Sequence, residues 1–138
     1  MAKPLCQDEI IEKIVEILQS KKAQDILLMD LRSLTDTTDF FVLCTGNSNL
    51  HVKTLADEVA DQLKEEGQRP WHIEGSKTRR WVLIDYVDIV VHIFRQEARE
   101  FYALERLWGD AESTPFEGVW EDTIEARPAD EPFVFSRP

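Results

Sequence analysis

Two apolar runs only four residues apart constrain this chain more than any other feature. Trp81-Val82-Leu83-Ile84 and Ile89-Val90-Val91-His92-Ile93-Phe94 are joined by Asp85-Tyr86-Val87-Asp88 alone. A connection that short can reverse the chain but cannot carry it across a sheet, so the runs must form an antiparallel hairpin. Both runs are apolar at consecutive rather than alternate positions. That places them in a sheet with both faces covered by helices.

The rest of the chain supplies those helices and further strands. Ile10, Ile11, Ile14, Val15 and Leu18 recur at helical spacing from Asp8 to Gln19, predicting a helix with one buried stripe. Asp25 to Leu31 and Phe40 to Cys44 read as strands separated by the polar loop 32–38. Thr45-Gly46-Asn47-Ser48-Asn49 breaks the second strand and offers helix N-caps. A second helix follows from His51 to Glu66, with Gly67 at its C-terminal cap. Pro70-Trp71-His72-Ile73 is a short strand, and a last helix runs from Glu97 to Trp108 with Phe101, Leu104 and Trp108 on one stripe. The expected fold class is α/β (α+β): a mixed five-stranded sheet with helices on both faces, in the order α-β-β-α-β-β-β-α. No internal repeat is visible.

The texture changes near Asp110. Residues 112–138 hold four of the six prolines and seven acids against Arg127 and Arg137, a net −5. We therefore expect a domain over 1–111 and an acidic, extended or disordered tail over 112–138. Phe116, Trp120, Phe133 and Phe135 in that tail suit docking on the domain or on a partner.

Charge and composition narrow the function classes. The net charge of −11 disfavours nucleic-acid binding as the main activity, since phosphate contacts demand a basic surface and the one basic cluster is Lys77, Arg79 and Arg80. An acidic chain suits a basic protein partner, with ribosomal proteins as one such class. No apolar run approaches the ~20 residues of a membrane span, and the N-terminus lacks an apolar signal core. Cys6 and Cys44 form no C-x-x-C pair and read as reduced thiols of a cytoplasmic protein.

Chemistry-bearing residues give weak signals. His51, His72 and His92 lie at no metal-ligand spacing, and His92 in its apolar strand reads as a hydrogen-bonded core residue. Asp85 and Asp88 are two carboxylates at a strand end, able in principle to hold a divalent ion, with the helix start after Gly46-Asn47-Ser48 as a phosphate site. Yet aspartates favour turns for their own reasons. There is no D-x-D on one strand, no P-loop lysine and no G-x-S-x-G. We expect no catalytic residues, no metal and no cofactor. The aromatics say more: Trp81, Tyr86 and Tyr102 sit among polar neighbours, as at binding hot spots, although residue type leaves Trp81 equally suited to the core.

Several ordered motifs then resemble one family. Asp30-Leu31, Thr38-Asp39-Phe40, Cys44-Thr45-Gly46-Asn47-Ser48, His51-Val52, Trp81, Asp85 through His92 and Arg99 through Trp108 resemble the ribosomal silencing factors, also called Iojap-like. The likeness runs over about residues 6–110. It implies a nucleotidyltransferase-like fold without the catalytic residues. It further implies binding to the large ribosomal subunit through its fourteenth protein, which blocks joining of the small subunit and represses translation in starvation. Carried over by motif, the contacts would be Trp81, Tyr86 and Tyr102, with Asp85 and Asp88 as acidic neighbours. The chain departs from the family at Val87, where the turn usually carries glycine; if that position takes φ > 0, valine is strained there. Two further classes stay open: a catalytic nucleotidyltransferase, and a module that forms a homodimer through one patch of Trp81, Tyr86 and Tyr102.

Overall fold

A computed structural model describes residues 6–116. The hairpin is present as expected: β4 (Trp81–Asp85) pairs antiparallel with β5 (Ile89–Arg95). β5 in turn runs parallel to β2 (Phe40–Gly46), from Phe40 opposite Ile89 to Gly46 opposite Arg95. A parallel neighbour needs a crossover, and α2 (Asn49–Glu65) followed by β3 (His72–Glu74) and β4 provides it. β1 (Gln24–Asp30) lies antiparallel on the other side of β2.

Helix ends follow their local chemistry. The backbone N–H of Cys6 donates to Glu9 Oε1 at 2.9 Å, starting α1 (Gln7–Ser20). Ser48 Oγ accepts from the His51 N–H at 3.0 Å and starts α2. Gly67 (φ 84°) ends α2, with the Gly67 and Gln68 N–H groups donating to Lys64 and Leu63 carbonyls.

Among the described residues the sheet has six strands, not the expected five, in the order β3-β4-β5-β2-β1-β6. The sixth, β6 (Glu112–Phe116), pairs antiparallel with β1 and comes from the first residues of the stretch expected to be a tail. β1 would otherwise present an open edge. β6 covers it and turns Thr114 and Phe116, opposite Leu28 and Ile26, toward the main core. Pro115, which argues against a central strand, is tolerated at an edge. The remainder of the expected tail, including Trp120, Phe133 and Phe135, lies outside the described residues, as do Met1 to Leu5.

The two faces are covered unequally. α1 and α2 cover one face, with Ile14, Leu18, Leu55 and Leu63 packed on Val42, Ile84, Val91 and Ile93. On the other face Met29, Leu43 and Phe94 pack against Ala98 and Leu104. The expected single helix over 97–108 is broken there. α3 (Gln96–Tyr102) stops at Ala103, which is left-handed (φ 47°), and a short α4 (Leu104–Leu107) returns. The break frees Phe101 from the expected stripe and leaves it 78% exposed. The buried Arg99 staples the corner: Nη1 donates to the Asp25 carbonyl (2.7 Å) and Thr45 Oγ1 (2.9 Å), and Nε to the Glu105 carboxylate (2.9 Å).

Because Phe116 is buried in the main core, Phe116→Ala should lower stability by about 3 kcal/mol. A shift of the urea midpoint measures it; an unchanged midpoint would mean that β6 is not part of the cooperative unit.

Candidate functional site

The half-covered face carries the aromatic residues. Along β4, Trp81, Leu83 and Asp85 point to it, since side chains alternate, and each is half-buried. Trp81 is central: its Nε1 donates to His92 Nδ1 at 3.0 Å. Its ring stacks on Phe94 (centroids 5.2 Å) and lies 4.5 Å from Tyr102. Beyond His92 the rings continue to Phe41 (4.4 Å, edge-on) and from Phe41 to Trp108 (6.1 Å). Trp81 is therefore both core and surface, half-buried and packed on the second core cluster. Tyr102 is 50% exposed, so its replacement bears less on the core.

His92 is the hydrogen-bonded core residue that its strand suggested. Burial pushes its pKa down to about 3, so the ring stays neutral and its Nδ1 lone pair remains free to accept from Trp81.

The three expected contact aromatics do not form one patch. Tyr86 falls on the opposite side of the sheet, packed against the core under α1 and α2, and burial raises its hydroxyl pKa. Trp81 and Tyr102 do meet. Asp85 shares their face, and its Oδ1 accepts from the Val87 N–H at 2.7 Å. Asp88 is exposed at the turn, where its carbonyl accepts from the N–H groups of Asp39 and Phe40. At the turn's apex Val87 has φ 75°, and the Asp88 N–H donates to the Tyr86 carbonyl at 2.9 Å, closing a tight three-residue turn. The positive φ anticipated for a family glycine is thus present, with a valine in it.

Other residues of this face escaped the sequence reading. Thr38, Phe41, Leu83, Val87, Val90 and Trp108 line a groove of about 250 Å³ with Asp85 and His92. The signal was available in part, since Leu83 stands two residues from both Trp81 and Asp85.

The helix start considered for phosphate is engaged elsewhere. At the start of α2 the His51 ring accepts from the Asn47 N–H (2.9 Å) through Nδ1 and donates through Nε2 to the Lys21 carbonyl (2.8 Å). Gly46 stands against Val52, whose Cγ2 would lie 2.8 Å from any added Cβ. Among the described residues no three His, Cys, Asp or Glu side chains converge as metal ligands would.

A mixed six-stranded sheet, closed by helices on one side and half open on an aromatic strip on the other, is the scaffold on which the comparisons bear. The family described as "ribosomal silencing factor during starvation" matches residues 5–133, and the chain belongs to it. The ribosomal silencing factor RsfS of Bacillus subtilis is 40% identical over 105 residues, covering 76% of this chain and 89% of that one. A crystal structure of a Chromobacterium violaceum protein superposes with a TM-score of 0.74 at 37% identity, covering 76% of this chain and 88% of that one. A mouse protein named mitochondrial assembly of ribosomal large subunit protein 1 is 31% identical over 101 residues, which cover 71% of this chain and 44% of its own length.

Two outcomes follow from this geometry. His92 has its pKa lowered from 6.5 to about 3, so the stability it contributes is complete above pH 6.5 and is lost as pH falls toward 3. Between pH 6.5 and 5 the wild type should lose roughly 1–2 kcal/mol more than His92→Phe, read from urea midpoints at each pH; parallel pH profiles would refute this. At the turn, Val87→Gly should relieve the left-handed strain and raise stability by about 1 kcal/mol despite glycine's greater unfolded entropy. A lower melting temperature for that variant would show that no strain is held at Val87.

Proposed function

We propose that the chain represses translation by docking its half-open sheet face on the fourteenth protein of the large ribosomal subunit, which bars the small subunit. The observation that carries this reading is the paired Trp81 and Tyr102 rings, 4.5 Å apart, on the face that the helices leave open and that Asp85 shares at the other end of β4. Aromatic anchors with acidic Asp85 farther along the same face suit a basic protein surface, and the chain's net charge of −11 favours that encounter. Family membership and the name of the mouse relative both point to ribosomes, and the latter to the large subunit. Trp81, Tyr102 and Asp85 act as direct contacts. Asp88 adds charge at the rim, while Tyr86 supports the turn from the core side. The chain acts by occupancy in the cytoplasm and not by catalysis, without cofactor or metal. Before it meets a ribosome, the exposed rings of Phe101 and Tyr102 also suit pairing with a second copy.

Sucrose gradients with purified subunits test the proposal: the protein should travel with large subunits and not small ones, and should reduce joining of the two. Tyr102→Ala should leave the fold intact and weaken binding by roughly 30- to 1,000-fold, as for a truncated hot spot. Migration with small subunits, or with neither, would sink the reading. A Tyr102→Ala protein that binds as wild type would move the contact off this face.

A further inference from the structure

On the other side of Trp81 from the groove lies a second cleft, of about 490 Å³, lined by Thr78, Arg80, Trp81, Ala98, Phe101 and Tyr102. The β3–β4 turn that forms its wall carries Lys77, Arg79 and Arg80. None of these three pairs with a described acid, whereas the nearby carboxylates are engaged: Glu74 with His72, Glu97 with Arg95 and Glu100 with Gln96. The turn is built rigidly. Gly75 has φ 86°, and a Cβ there would lie 2.0 Å from the Trp81 carbonyl oxygen. The Arg79 N–H donates to the Gly75 carbonyl (2.9 Å) and the Arg95 N–H to the Arg80 carbonyl (2.8 Å). Opposite the cations, Phe101 is 78% exposed and stands edge-on to Tyr102 at 5.0 Å.

We infer that this cleft binds RNA, with phosphates on Lys77 and Arg80 and an unstacked base against Phe101. Unpaired cations beside accessible ring faces form the combination that binds single-stranded nucleic acid without reading its sequence. An acidic protein segment would meet the cations too, but it lacks the flat bases that stack on exposed rings, and crosslinking from Thr78 separates the two. Net charge then sharpens the contact. A chain at −11 is repelled by RNA over most of its surface, so this cluster fixes the orientation in which it approaches. The inference rests on the proposed large-subunit reading, where ribosomal RNA would flank the protein partner.

The test uses the full chain, a charge variant (Lys77→Gln, Arg79→Gln, Arg80→Gln together) and Phe101→Ala, each checked for folding by circular dichroism. Anisotropy of a labelled single-stranded oligoribonucleotide in low salt should show binding that the charge variant weakens at least ~10-fold and Phe101→Ala roughly 5- to 100-fold. On large subunits the charge variant should flatten the slope of log K against log salt by about 1–2. A photo-crosslinker at Thr78 should label ribosomal RNA. Absence of oligonucleotide binding by the wild type, an unchanged salt slope, or crosslinks to protein alone would each overturn the inference. If the wild type fails to bind subunits yet binds the oligonucleotide through these residues, the large-subunit reading falls and the RNA site stands.

Discussion

The parallel pairing of β2 with β5 is the constraint on which the rest of the structure depends. Their side chains are buried on both faces for nearly their whole length, so the sheet must be covered twice. Parallel neighbours cannot be joined by a tight turn, and the chain between them has to cross over a face. α2 does this, and α1 packs beside it to complete the layer. The second face falls to whatever follows β5, which is a short helix.

That leftover helix explains the site. α3 and α4 reach Phe94, Leu43 and Met29 but leave β4 half open. An open β4 puts Trp81 at a boundary, where its indole N–H needs a buried acceptor while its ring remains accessible. His92 supplies the acceptor, and its depressed pKa follows from the same burial that makes the bond possible. The aromatic strip is one packed series whose exposed end is the proposed contact surface, so the rings are held in place before a partner arrives. Preorganisation of this kind lowers the entropy cost of docking.

Charge is divided in the same way as shape. Asp85 and Asp88 lie at the groove end of β4, and Lys77, Arg79 and Arg80 at its other end. A single strand thus separates acid from base across the Trp81 ring. Such a polarised face can meet a basic protein and an anionic polymer side by side, as a ribosomal surface presents them.

Much of this was legible in the sequence because it depends on neighbours a few residues apart. The β4–β5 hairpin followed from two apolar runs and a four-residue connection, and the ends of α2 from Ser48 and Gly67. His92 read as a core residue because its strand is apolar throughout. The family motifs singled out Val87 as the position where a positive φ would strain a valine, and the structure has φ 75° there. What failed were features decided by distant packing. β6 is a strand because β1 has an open edge waiting for it, and nothing within Glu112–Phe116, with its proline and acid, announces that edge. The helix breaks at Ala103, an ordinary helix former, because Arg99 is held by Asp25 and Thr45 far away in the chain, and Glu105 must return to meet it. Tyr86 was grouped with Trp81 by chemistry, whereas strand alternation sends it to the other side. Sequence by itself determined periodicity, turns and caps, whose energies are local. Only the tertiary structure decided which face stayed open and which rings share it, because both depend on how much of the sheet the last helix can reach.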